Sequence, residues 1–381
     1  MKLTFIGSVL GYHQEGLAKA FYNILGDDYH YVAYGDLPEY RKQAGFKNLA
    51  DVYPFVVKAY TPEGAKKTKK LINNSDVVII GAAPDDVIEL CVNNGIETYL
   101  FSERFFKKGT WRAFIQPIRK KVIHRAARFK QPNFKVLCAS AYLPYDLALC
   151  GWRGKAYQWG YFPDIVEYDI DELMSKKATG DKPVNILWAA RFLELKHPEK
   201  AIQVAKHLKE KNLPFHMNII GYGELGKFIL SEISKNQLEN YITFSGKKTV
   251  PEVREAMENA DIFLMTSDYH EGWGVVINES LNCGCAVIAD AAAGASRYLI
   301  KDGENGFIYK NNNIRTMFPV IEKLITDEVY RKQIQKNAYY YMVNSASPEV
   351  VANRFVALCE KNATFNEGAC SIAPIIKSAK Q

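Results

Sequence analysis

Short apolar runs alternate along this chain with longer stretches in which apolar residues recur every third or fourth position. In the first half the runs fall at residues 3–6, 31–33, 77–80, 98–101, 135–139 and 156–159, and the amphipathic stretches between them include residues 17–25, 61–72 and 85–92. Compact apolar runs read as strands and 3.6-residue periodicity reads as helix. Strict β-then-α alternation predicts an α/β protein with a doubly wound parallel sheet. Residues 164–182 break the rhythm: they are polar and charged, end in Gly-Asp-Lys-Pro, and read as a linker. A second alternating series then follows at residues 185–190, 217–221, 242–246, 262–266, 286–290 and 307–309. The pattern therefore predicts a first Rossmann-like domain over 1–163, the linker 164–182, a second such domain over 183–345, and a C-terminal helix with a tail over 346–381. At 381 residues the chain exceeds what one core organises, and the two domains are expected to face one another across a cleft.

Composition narrows the function classes. An apolar content of 48% excludes a disordered chain. The formal charge of +7 suits an anionic substrate or membrane surface, and nucleic acid is not an expected partner, because no arginine-rich block or nucleic-acid module signature occurs. The seven cysteines are odd in number and lack metal-ligand spacing, so a reduced cytoplasm is expected and no metal site is. The start MKLTFIGS turns polar too early for a secretion signal, and no apolar run is long enough for a bilayer.

The candidate chemistry concentrates in residues 266–284, TSDYHEGWGVVINESLNCG. A strand delivers this stretch and a helix beginning near Val275 carries it away to Gly284. Glu271 and Glu279 bracket seven residues, with Gly272, Trp273 and Gly274 just after the first carboxylate. In open α/β sheets, ligands bind at the carboxyl ends of the strands. Glycines there admit a ligand close to the backbone, and a helix start favours a diphosphate. The strand at 185–190 leads into Arg191 and Lys196, whose charges could neutralise a diphosphate without a metal ion. Solvated surface groups are the alternative for all four charged side chains.

Gly221, Gly223 and Gly226 repeat the G-x-G-x-x-G spacing of dinucleotide-binding loops. The next strand ends Ser-Gly-Lys-Lys with no acidic residue to hold a ribose, which argues against a dehydrogenase. Residues 7–16, GSVLGYHQEG, form another glycine-punctuated loop, with His13 in it; it reads as a phosphate- or sugar-facing loop or as an ordinary connection. Residues 111–130 combine a helical stripe of Trp111, Phe114, Ile115, Ile118 and Val122 with seven Lys and Arg, and Pro117 should bend or restart the helix. That stretch is either a core helix with a solvated face or a surface that lies on an anionic membrane.

In that order along one chain, Arg191 with Lys196, the Gly-Tyr-Gly loop, Glu271 and Glu279 around Gly-Trp-Gly, and DGENGF at 302–307 resemble the retaining GT-B glycosyltransferases of the GT4 family. The resemblance implies the GT-B fold. It assigns Glu279 to the donor's ribose hydroxyls, Glu271 to the transferred sugar, Arg191 and Lys196 to the diphosphate, and the surroundings of Gly246 to the base, with Gly221 and Gly223 also on the donor side. A final helix near 348–361 would cross back to the first domain. The first loop departs from the family's Gly-Gly pair, since Glu15 precedes Gly16, and Ser102 or Glu103 stands where many members place a histidine; with His13 these form the expected acceptor or sugar side. Tyr298 stands where glutamate is frequent. The expected activity is retaining, metal-free transfer from a nucleotide-sugar donor, a UDP-sugar, to a hydroxyl of a surface or lipid-linked glycan, with no cofactor, in the cytoplasm or at its membrane face. A nucleotide-sugar epimerase and a catalytically silent nucleotide-sugar-binding subunit are the alternatives.

Overall fold

Each apolar run of the first half becomes a strand of one parallel sheet. In the computed structural model, which describes residues 1–39, 48–310 and 313–377, these are β1 (Leu3–Gly7), β2 (Tyr29–Ala33), β3 (Val56–Lys58), β4 (Val77–Ile80), β5 (Glu97–Ser102), β6 (Phe134–Cys138) and β7 (Ala156–Gln158). Their order is β3-β2-β1-β4-β5-β6-β7. The second half gives β8 (Val184–Ala189), β9 (Phe215–Ile220), β10 (Ile242–Gly246), β11 (Ile262–Met265), β12 (Ala286–Asp290) and β13 (Phe307–Tyr309), in the order β10-β9-β8-β11-β12-β13. β1 and β4 are buried at every residue, as are β11 and β12, because helices cover both faces of a doubly wound sheet. β3 is the strand that the sequence pattern does not predict.

The chain forms two compact units, Met1–Asp164 with Ala346–Lys377, and Ile165–Ser345. Each has its own apolar core, with Ile6, Val78, Leu100 and Val136 at the centre of one and Ile186, Met217, Leu264 and Ile288 at the centre of the other. Helix Pro348–Cys359 belongs to the first unit, where Phe355 packs its ring on Tyr99, Trp159 and Phe21 at centroid distances of 5.0, 5.4 and 5.7 Å. The end of the expected tail, residues 378–381, lies outside the described residues.

Residues 164–182, expected to be a linker, carry the helix Ile170–Ser175, capped by Asp169, whose side chain accepts from the amides of Asp171 and Glu172. Leu173 and Met174 bury against Tyr339, so most of this segment is part of the second unit's packing. Residues 111–130 are not one helix. A 3-10 turn, Thr110–Phe114, precedes helix Gln116–Val122 and a wider π turn, Ile123–Ala127. Pro117 lies in the first turn of the short helix, where a missing N–H costs nothing.

Candidate active site

The order of each sheet reverses once, between β1 and β4 and between β8 and β11. At such a switch point the following loops diverge and leave a crevice at the strands' carboxyl ends. In the second unit, loops 190–197 and 266–275 flank that crevice, and four contacts hold them together. Thr266 Oγ donates to the carbonyl of Lys196 at 2.6 Å while accepting from the Trp188 indole N–H at 2.7 Å. The amide of Asp268 donates to the Leu195 carbonyl at 3.0 Å. The His197 ring lies 3.3 Å from an Asp268 carboxylate oxygen and 2.7 Å from one of Glu199. Lys196 Nζ donates to Glu271 Oε2, and both side chains are largely buried. Arg191, on the same loop as Lys196, is exposed, and no described residue pairs with its guanidinium.

His197 occupies the left-handed region, φ 49 and ψ 55, just before Pro198. That conformation is unfavourable for a side chain with a Cβ, and the two carboxylates offset its cost. Asp268 and then Glu199 hold the imidazolium, raising its pKa to about 9 against the opposing pull of burial. Burial pushes the Asp268 carboxyl up, but the bonds from His197 and from the amide and ring of His270 outweigh it and leave the pKa lowered.

Glu279 lies in helix Val276–Asn282 and lines a cavity of about 140 Å3 with Lys248, Val250, Val253, Arg254 and Met257. Burial raises its carboxyl pKa and the charge of Arg254 partly opposes that. The mixture of apolar wall, carboxylate and two cations suits a flat ring joined to a hydroxylated, anionic group. A larger cavity of about 400 Å3 flanks the opposite face of helix Val250–Asn259. There His216 pairs with Thr243 at 2.9 Å and Ser245 with Asn218 at 2.7 Å.

Several expected donor residues have a packing reason for their positions. A Cβ on Gly221, φ 153, would stand 1.9 Å from the Ala190 carbonyl oxygen, so the loop bearing Arg191 rests directly on the Gly-Tyr-Gly backbone. Gly223 meets the Phe192 carbonyl in the same way, at 2.6 Å. Gly246 accepts from the Gly221 amide at 2.8 Å. Gly272 and Gly274 are buried beside Glu271. Trp273, read as a donor-binding residue, turns inward: it is 3% exposed, donates its indole N–H to Asn278 at 2.9 Å, and accepts from the Ala295 amide. Its side chain buttresses the loop.

In the first unit, the reversal between β1 and β4 opens a cavity of about 370 Å3 whose lining includes Gly11, His13, Ser102, Glu103 and Tyr161. Glu103 there pairs with Lys107 and accepts from Tyr161 Oη at 3.2 Å. Gly16 is not on this wall. It is buried inside helix Tyr12–Leu25, where a Cβ would come 2.7 Å from Asp164 and 3.0 Å from Pro348. Its expected place on the acceptor side is corrected to a helix-packing role.

Sequence reasoning missed Arg254, His197 and Asp268. Arg254 interrupts the apolar stripe Val250, Val253 and Met257, which is a usable signal for an inward cation. His197 gave none, since its backbone conformation and the partner 71 residues away are set by the fold.

Residues 169–340 match the family described as glycosyl transferases group 1. Over that stretch the second unit is similar to the group 1 glycosyl transferases. Within this chain, 127 residues are 34% identical to an uncharacterised glycosyltransferase of Methanocaldococcus jannaschii, covering 33% of this chain and 35% of that one. Another 207 residues are 29% identical to the poly(glycerol-phosphate) alpha-glucosyltransferase of Bacillus subtilis, covering 54% and 30%. The chain thus spans about a third of the length of these relatives. The Anabaena protein HepE, solved in complex with UDP, superposes over 95% of this chain and 100% of its own with a TM-score of 0.67 and 18% identity. The fold of this chain is accordingly GT-B, two Rossmann-like parallel-sheet units.

Proposed function

We propose that this protein is a retaining glycosyltransferase that moves a sugar from a nucleotide diphosphate donor, a UDP-sugar, to a hydroxyl of a surface or lipid-linked glycan, without a metal ion, on the cytoplasmic side. The observation that carries the reading is the paired Lys196 and Glu271 at the switch point, with unpaired Arg191 on the same loop and Glu279 facing a separate small cavity in the same unit. The group 1 match of the second unit and the UDP-bound relative of like fold support it. No observation favours the epimerase or the silent-subunit reading.

In this scheme the base and ribose occupy the cavity beside Arg254, with the ribose hydroxyls donating to Glu279. The diphosphate lies between Arg191 and Lys196. The acceptor oxygen bonds the anomeric carbon on the face from which the diphosphate departs; the breaking carbon–oxygen bond leaves its electron pair on the phosphate oxygen, which takes the acceptor's proton. Arg191 and Lys196 stabilise the charge that grows there, and Glu271 orients the sugar as positive charge develops on its ring. Lys196 must then be shared between Glu271 and phosphate, so the pair holds both groups in place before the donor arrives. Incubation with a panel of radiolabelled nucleotide sugars and a lipid-linked acceptor tests the proposal. Transfer of label to the acceptor supports it; isomerised donor without transfer, or binding without turnover, sinks it.

A further inference from the structure

The sequence pattern left residues 111–130 open between a core helix and a membrane-facing one, and the structure divides the stretch. Val122 is buried and Ile115 and Ile118 are half-buried, so the C-terminal part of the stripe packs on the first unit's core. Trp111 and Phe114 do not: they are 61% and 74% exposed. Both lie on the 3-10 turn Thr110–Phe114, where residues three apart eclipse one another, so the two rings share one outward face. The turn is built for this pose. Gly109 enters it at φ 113, and a Cβ there would stand 2.6 Å from Trp111, so only glycine lets the indole lie over the chain at that point.

The cations around the rings also divide. Arg125 is spoken for by the Ala83 carbonyl and Asp85, each at 2.6 Å, Arg128 by Glu89 at 3.1 Å, and Lys130 by the Gly151 carbonyl at 2.9 Å. No described residue pairs with the side chains of Lys108, Arg112, Arg119, Lys120 or Lys121, which precede, interleave and follow the two aromatics. Two exposed aromatic rings ringed by unpaired cations complement the interface of an anionic bilayer, where aromatic rings settle at headgroup depth and cations remain in the charged layer.

We propose that the turn Thr110–Phe114 is a membrane-docking wedge, with Trp111 and Phe114 entering the interface of an anionic leaflet and Lys108, Arg112, Lys120 and Lys121 held against its headgroups. The inference does not depend on the glycosyltransferase reading, because its test reads lipid binding and not turnover. Two rings and a few cations give reversible attachment, since neither the apolar area nor the charge approaches that of an inserted helix.

The test uses the full chain with vesicles of phosphatidylcholine alone or with about a third phosphatidylglycerol. Trp152, Trp159, Trp188 and Trp273 are all buried, so a lipid-induced change in tryptophan emission reports Trp111. The wild type should sediment with the anionic vesicles, shift its emission to the blue, and become quenchable by brominated lipid. Each cation replaced by glutamine should weaken binding about five-fold. Trp111→Ala with Phe114→Ala should lose binding although no charge changes, and Trp111→Phe should keep binding and lose the emission shift. The inference is overturned if the wild type ignores anionic vesicles at low salt, if the double alanine variant binds as well as the wild type, or if the rings instead join two copies of the chain, seen as a dimer that the same variant abolishes without lipid.

Discussion

Lys196 and Glu271 form an ion pair across 75 residues of sequence, joining the loop after β8 to the loop after β11 at the point where the sheet order reverses. The pair is largely buried, so neither charge is well solvated without the other. Its two members are the groups proposed to meet the diphosphate and the sugar.

Removing either member should therefore cost more than its direct contact with the donor. Lys196→Ala and Glu271→Gln should each lower kcat/KM by roughly a hundredfold, about 3 kcal/mol of transition-state stabilisation. Because they act as one unit, the double variant should be little worse than either single one. Steady-state kinetics of the three variants decide it: additive losses would mean that the two side chains work independently.

Glu279 should control donor affinity, and do so with pH. Its alanine variant loses a charged acceptor for the ribose hydroxyls, worth roughly 1.5–3 kcal/mol, or about a tenfold to hundredfold rise in the Kd for UDP. Its carboxyl pKa is raised by burial, so it protonates at a higher pH than an ordinary glutamate. Protonation removes an acceptor, and affinity should fall as pH drops through that raised value. Calorimetry across mildly acidic pH should show this slope in the wild type and a flat profile in Glu279→Gln; parallel profiles would remove Glu279 from the ribose.

His197 should make the second unit's stability depend on alkaline pH. Its folded pKa, about 9, lies above the ordinary 6.5, so the protonated form favours folding. That contribution is fully present below about pH 6.5 and is lost as pH rises through about 9. Asparagine tolerates the left-handed backbone at this position and cannot carry the charge. Urea unfolding should show His197→Asn less stable than wild type at about pH 6, with the gap narrowing towards about pH 10. An equal gap at both pH values would contradict the bridge to Asp268 and Glu199.

Excess chelator should leave activity intact, because Arg191 and Lys196 supply the cationic charge at the diphosphate. Inactivation by chelator with rescue by magnesium or manganese would overturn the metal-free proposal.

Much of the fold was legible because a doubly wound sheet imposes a simple rule: strands buried on both faces read as unbroken apolar runs, and covering helices read as amphipathic stretches. β3 escaped because only Val57 of its three residues is buried, too short a run to stand out. Glu271 was legible as a charge beside glycines after a strand, Lys196 as a cation in a strand-to-helix loop, and Glu279 by its spacing from Glu271. What their neighbours do was not. Trp273 and Gly16 look ligand-facing in sequence because a tryptophan between glycines, or a glycine in a loop-like run, has the same letters whether it turns outward or inward; Asn278, Asp164 and Pro348 decide the matter from elsewhere in the fold. Arg125 resembled its free neighbours until Asp85 and the Ala83 carbonyl claimed it.

The central claim is the location of the nucleotide, and a crystal structure of the chain with UDP tests it most directly. The account predicts the base in the cavity lined by Val250, Val253 and Met257, the ribose hydroxyls within hydrogen-bond reach of Glu279, and the diphosphate against Arg191 and Lys196. Density for the nucleotide beside His216 and Thr243, or in the first unit near His13 and Ser102, would contradict it.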